Sequence, residues 1–171
     1  MNRQPNSRDC FLCGVDNPIG LRLAFYDLED GRVATRFTPL EEHQGYPGVM
    51  HGGLACALLD ETIGRTLNHH DIWAMTIDMH TRFLKPVPLG SPLLVIGEIS
   101  RLRSRIMEGR GEIRLEDGTV AVTAEARYIR LTQEETDRFR DELGYWKVPE
   151  DDPREARETK EALQRIIGDQ A

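Results

Sequence analysis

The sequence predicts an α+β domain in which a curved antiparallel sheet of about six strands wraps around one central helix, followed by a C-terminal helical extension. Three observations predict it. Two stretches of alternating polarity each fold about an Asp-Gly pair, and a strongly apolar segment with helical spacing lies between them. Beyond residue 132 the composition turns heavily charged. The expected organisation is therefore a core domain over 1–132 and an extension over 133–171.

In chain order, residues 20–28 and 32–38 read as strands flanking Asp30-Gly31, a pair suited to a tight turn that needs positive φ. Residues 51–68 (HGGLACALLDETIGRTLN) follow as a helix. Leu54, Ala55, Leu58, Leu59, Ile63 and Leu67 form a broad apolar band there, and a helix this apolar is expected to be buried. Residues 72–84 and 92–100 read as strands joined through the Pro86–Pro92 bend. Residues 103–115 and 119–131 form a second hairpin about Asp117-Gly118, with Met107, Gly109, Gly111, Ile113 and Leu115 on one face. One apolar helix amid antiparallel strands has to be covered by the sheet. The extension is expected to hold helices over 133–142 and 154–167, separated by Pro149 and Pro153. Leu163, Ile166 and Ile167 would give the second of these a thin apolar stripe for docking.

Composition narrows the function classes. A net charge of −7 disfavours general binding to nucleic acid or to an anionic membrane, since both would be repelled at long range. No apolar run approaches the roughly 20 residues needed to span a bilayer, and the polar N-terminus does not read as a secretory leader. Three cysteines are poor material for a disulfide framework. A cytoplasmic protein is expected.

Chemistry is expected along the apolar helix. Gly52 and Gly53 lie in its first turn, where backbone N–H groups lack intrahelical partners and the helix dipole is positive. Such groups suit a developing oxyanion, or the glycines simply permit a tight entry into the helix. Asp60 sits in mid-helix, where a carboxylate is costly without compensation. It is a candidate catalytic group or, alternatively, an exposed carboxylate or an ion-pair partner of Arg82. Asp60 lies on the same side of the helix as Gly53 but about 10 Å further along the axis. Both ends of one helix cannot act on one carbonyl, so joint action requires a second copy of the chain. Glu61 points roughly 100° away and is expected to face solvent or form a salt bridge.

These residues resemble the hotdog-fold thioesterase superfamily, particularly its phenylacetate-pathway (PaaI-type) branch of acyl-CoA thioesterases. The resemblance is carried by Gly45-Tyr46-Pro47-Gly48-Val49-Met50-His51-Gly52-Gly53, by Asp60 nine residues after the histidine, and by the stretch from Thr76 to Pro88 containing Arg82-Phe83-Leu84-Lys85-Pro86. It covers roughly residues 10–131 and implies hydrolysis of an acyl-CoA thioester to a carboxylic acid and CoA, with no metal or other cofactor. Asp60 would be the general base or nucleophile, and Gly52, with Gly53 as a second donor, would polarise the carbonyl. His51 would orient or contact substrate, and Thr76 would position water. The resemblance further implies a homodimer or dimer of dimers with sites at the subunit interface. Many relatives carry an Asn or Gln near the position of Gly45; here Gln44 is the adjacent candidate for the substrate carbonyl.

Other signals are weaker. Arg101, Arg103 and Arg105 alternate along an expected strand and, with Arg82 and Lys85, are candidate contacts for the phosphates of CoA. Leu58, Trp73, Met75 and Met79 are expected to set pocket depth. Cys10-Phe11-Leu12-Cys13 has half the spacing of a zinc knuckle, but no second half follows in sequence, so a structural turn is expected, with zinc or redox chemistry as the alternative. A hotdog hydratase would resemble Asp followed five residues later by His, whereas Arg65 stands there. A non-catalytic acyl-CoA-binding module remains the alternative, as does a tail that serves as a protein-interaction element.

Overall fold

The computed structural model describes residues 1–150 and 152–167, the side chain of Ile167 excepted, so the share of the predicted tail stripe carried by Ile167 lies outside the described residues. Seven strands form one antiparallel sheet: β1 (Asn2–Arg3), β2 (Tyr26–Asp27), β3 (Val33–Phe37), β4 (Ala74–Phe83), β5 (Leu93–Arg101), β6 (Ile106–Leu115) and β7 (Val120–Arg130). Their order is β1-β2-β3-β5-β6-β7-β4, which makes β4 an edge strand. The helices are α1 (Gly52–Arg65), α2 (Gln133–Leu143) and α3 (Pro153–Ile167). None is long and apolar enough to cross a membrane among the described residues.

Both Asp-Gly turns form as expected, with Gly31 at φ 84° and Gly118 at φ 83°. The strand expected over 20–28 is corrected to Tyr26–Asp27 alone. The preceding residues spend their hydrogen bonds elsewhere: Leu21 and Leu23 donate from their N–H groups to the carbonyls of Phe11 and Leu12, both at 2.9 Å. Arg22 takes φ 53°, which breaks the extended run. Asn2–Arg3 instead adds a short outer strand beside Tyr26–Asp27. The central helix ends at Arg65 and not at residue 68, because residues Thr66–His70 tighten into a 3₁₀ turn.

The core lies between α1 and the sheet. Leu58, Leu59 and Ile63 are fully buried against Val95, Met107, Ile113, Val122 and Tyr128. This close seat depends on three missing side chains. A Cβ at Gly97 would lie 2.7 Å from the Thr62 carbonyl oxygen and 2.8 Å from the Ile63 backbone, while Cβ atoms at Gly109 and Gly111 would collide with the Ile63 side chain. The second and third positions alternate with Met107 and Ile113, the same face that the hairpin pattern predicts to be inward.

A smaller apolar cluster occupies the opposite face of the sheet, where Ala162, Leu163 and Ile166 of α3 pack against Leu28, Ala34, Leu94 and Ile96. Arg36 and Glu158 pair at 3.1 Å beside it. The start of α2 is capped by the Thr132 hydroxyl, with Glu135 returning to the Thr132 N–H. Between α2 and α3, Lys147 and Asn6 exchange backbone hydrogen bonds, so the tail is tied to the N-terminal segment.

Replacing Gly97 by Ala is expected to cost about 1–3 kcal/mol of stability through overpacking against the helix backbone. Chemical unfolding would measure it, and an unchanged midpoint would show that α1 can lift off the sheet at no cost.

Candidate active site

The loop before α1 is held at several points. His51 donates its N–H to the His43 carbonyl at 2.8 Å, and Met50 donates to Val87 at 2.9 Å. His51 then acts as the N-cap, with φ −61° and ψ 131°, and its Nδ1 accepts the Gly53 N–H at 2.9 Å. That contact fixes Nδ1 as the acceptor and leaves Nε2 to carry the proton. It also corrects the expectation for Gly53: its N–H is already satisfied by the cap. The Gly52 N–H has no acceptor among the described residues. The glycine packs beneath the Phe83 ring, which a Cβ would meet at 3.3 Å.

Toward the other end of α1, Asp60 is half-buried, and its Oδ1 accepts a hydrogen bond from the Thr76 hydroxyl at 2.7 Å. The Asp60 backbone carbonyl accepts from the Tyr128 hydroxyl at 3.1 Å. Thr76 and Tyr128 are cross-strand partners of β4 and β7, which explains why both reach the same turn of helix. Burial pushes the Asp60 carboxyl above the usual carboxylate range, and the Thr76 hydrogen bond opposes that rise. The ion pair with Arg82 that sequence left open does not form. Thr81 and Phe83 face the helix, so Arg82 between them projects from the opposite face, beside His80 and Arg110. Glu61 instead pairs with Arg65 at 2.9 Å.

Asp60 lines a cleft of about 490 Å³ with Glu61, Trp73, Met75, Thr76 and Tyr128. Trp146 closes one side, packed against Trp73 in a tilted pair with ring centroids 5.7 Å apart and planes at 53°. Of the four residues expected to set pocket depth, Trp73 and Met75 line this cleft, whereas Leu58 is fully buried in the core and Met79 packs against it. Sequence reasoning missed Tyr128 and Trp146 as site residues. Tyr128 carried a signal, being the one residue with a polar tip in an inward-facing run of Val and Ala; Trp146, in a charged tail, carried none.

The expected substrate contacts are not brought to this cleft. Gln44 is exposed, and its Oε1 accepts the Gly48 N–H at 3.0 Å, so it braces its own loop. Lys85 is exposed past the end of β4. The arginine stripe is corrected: Arg101 ends β5 and pairs with Glu108 at 3.7 Å, while Arg103 and Arg105 sit in the following turn and share no strand face.

Within one chain, then, a free N–H at the start of α1 and a carboxylate near its end are both laid along β4, Phe83 beside Gly52 and Thr76 beside Asp60. Among ligand-type clusters in the described residues, Cys10, Cys13 and Glu61 converge, with their ligand atoms all within 4.8 Å of one another.

Comparison with known proteins gives a consistent picture. The model of the thioesterase superfamily matches residues 47–122, from the helix entrance into β7. Acyl-coenzyme A thioesterase THEM4 of Mus musculus is 28% identical over 126 residues, covering 72% of this chain and 54% of that protein. The chain thus spans about half the length of the curated relatives it matches. A crystallised thioesterase superfamily protein is 31% identical with a TM-score of 0.68, covering 71% of this chain and 63% of the other. The E. coli PaaI protein from the phenylacetic acid degradation operon shares the fold at a TM-score of 0.61 and 16% identity, over 66% of this chain and 81% of its own.

Replacing Thr76 by Ala removes a donor that favours the charged carboxylate, so the Asp60 carboxyl is expected to titrate at still higher pH than in the parent. Carboxyl-carbon NMR titration reads this directly, and a lower value would mean that the hydroxyl does not stabilise the ionised form.

Proposed function

We propose that the chain is a hotdog-fold thioesterase of the PaaI type that hydrolyses an acyl-CoA thioester to a free carboxylic acid and CoA. The observation that carries this reading is Asp60: a half-buried carboxylate on the central, largely apolar helix, held by Thr76 and opening on a cleft with aromatic walls. Holding a carboxylate in such a place is costly without a task or a partner, and no cation pairs with it among the described residues. The name of the THEM4 relatives supports the substrate class.

In the proposed mechanism Asp60 takes a proton from water, which attacks the thioester carbonyl, or the carboxylate attacks directly. The Thr76 hydroxyl fixes the orientation of Asp60, leaving its second oxygen for the nucleophile or the water. The unpaired Gly52 N–H, at the positive end of α1, stabilises the oxyanion. His51 contributes by capping: taking up the Gly53 N–H orients the first turn so that the Gly52 N–H is the one presented.

Gly52 and Asp60 are eight residues apart on one continuous helix, about 12 Å along its axis, so they serve one carbonyl only if a second copy supplies one of them. The edge strand supports such a pairing. β4 has no neighbour on its outer side within the chain, and Met75, Ile77, Phe83 and Leu84 on or flanking it are exposed. Isologous pairing across that edge would bring the Thr76 end of one β4 toward the Phe83 end of the other. It would carry Asp60 of one copy toward Gly52 of its mate.

Two substitutions test the proposal together. Asp60→Asn is expected to lower kcat for CoA release by about 10²–10⁴-fold, the usual loss on removing a general base. Gly52→Pro removes the N–H at the first helical position, where proline is well tolerated, so the oxyanion donor is lost with the helix kept. Each variant alone should be nearly inactive, while refolding the two together should restore turnover through mixed dimers that contain one intact site. No recovery would refute a shared site. Full activity of Asp60→Asn would remove Asp60 from the mechanism, and no turnover by the parent on any acyl-CoA would shift the reading to a binding module.

A further inference from the structure

Residues 7–14 form a turn unlike an ordinary surface loop. The N–H groups of Leu12 and Cys13 both donate to Cys10 Sγ, at 3.3 and 3.5 Å, and the Gly14 N–H closes the turn on the Cys10 carbonyl at 2.8 Å. Both N–H groups are therefore aimed at one sulfur, which draws the turn tightly around it. Cys13 is buried, with the Ser7 hydroxyl 3.4 Å from its Sγ, while Cys10 is only partly buried. Facing this pair from α1 is Glu61, and one carboxylate oxygen lies within 4.8 Å of both sulfurs. Arg65 engages Oε1 of Glu61, and Oε2 has no partner among the described residues.

Two soft sulfur donors and one hard oxygen donor, drawn together at a CxxC turn, match the ligand preferences of zinc. Two sulfurs and an oxygen around a tetrahedral zinc sit roughly 3.6–3.8 Å apart, from Zn–S near 2.3 Å and Zn–O near 2.1 Å. The cluster is within about 1 Å of that and needs side-chain torsions rather than backbone opening. Charge also balances. Two thiolates and a carboxylate carry −3, a zinc ion leaves −1, and the buried Arg65 guanidinium beside Glu61 supplies the compensating +1. Arg65 is itself held by the Pro5 carbonyl at 2.7 Å and lies over the Phe25 ring, so it is a fixed counter-charge.

We propose that Cys10, Cys13 and Glu61 form a zinc site that clamps the N-terminal turn to α1 beside Asp60, with solvent at the fourth position. On binding, the thiols release their protons to solvent as two Zn–S bonds form, and no oxidation takes place. The expectation of a metal-free protein drawn from sequence is set aside on this point: the missing ligand lies far along the chain, on a helix, outside any knuckle spacing. The inference does not depend on the thioesterase reading, and its readouts do not use turnover.

The test uses the full chain, stripped of metal by chelator under reducing conditions and titrated with Co²⁺. A thiolate-to-cobalt charge-transfer band saturating at one equivalent, then bleached by Zn²⁺, is expected. Cys10→Ser should lose the band, and Cys56→Ser should keep it. Glu61→Gln should weaken binding by at least about tenfold, the lower end of what even an outer-sphere partner contributes. Added Zn²⁺ should raise the Tm of the parent, and Glu61→Gln should lose most of that shift. Circular dichroism of each variant separates lost binding from lost folding. Absence of the band in the folded parent, a band unaffected by Cys10→Ser, or a Cys10–Cys13 disulfide that forms in place of metal binding would each overturn the proposal.

Discussion

The approach of α1 to the sheet is the constraint on which the rest depends. Ile63 is seated among Gly97, Gly109 and Gly111, and the helix backbone comes so close to β5 that a single added Cβ would collide with it. That depth brings the Asp60 carboxyl within reach of a threonine on the edge strand, and the Asp60 carbonyl within reach of a tyrosine one strand further in. A helix standing off by the width of a methyl group would lose both hydrogen bonds. Polar chemistry at Asp60 is therefore a product of close packing at Ile63, about one turn away.

The two ends of α1 solve different problems. At its start the unpaired N–H groups of any helix must find acceptors, and a histidine cap takes one of them while leaving its neighbour open. Near its other end the difficulty is a carboxylate in apolar surroundings, met by one hydroxyl and by partial exposure to the cleft. Edge strand β4 serves both ends at once, with Phe83 packed on the first turn and Thr76 bonded to the third. Strand and helix thus form a single strip carrying all the groups assigned to the proposed chemistry.

Much of this was legible in the residues. Period-two alternation through 103–131 and the two Asp-Gly turns specified the hairpins, because a sheet with one buried face permits only one register. His51-Gly52-Gly53 and Asp60 were legible as unusual residues in an apolar helix. The split of the first strand was not, because its cause lies in hydrogen bonds from Leu21 and Leu23 to the turn at Cys10–Cys13, a contact between segments with no pattern of their own. The failure of the arginine stripe has a similar root: a run that alternates in sequence lost its periodicity where β5 ended and the chain turned. Trp146 belongs to a tail whose local composition indicates only solvation, and its place in the cleft follows from the Asn6–Lys147 bridge.

That bridge has a wider consequence. The stretch matched by the family model ends at residue 122, yet the wall facing Asp60 is finished by Trp146, steadied by the N-terminal segment and by the Arg65 guanidinium beneath its ring. The matched stretch takes in Asp60 and its helix, whereas the space before them is shaped in part by Trp146 and the N-terminal segment, which lie outside it. A change in either of those outer segments would reshape the space beside Asp60 and leave the packing of helix on sheet as it is.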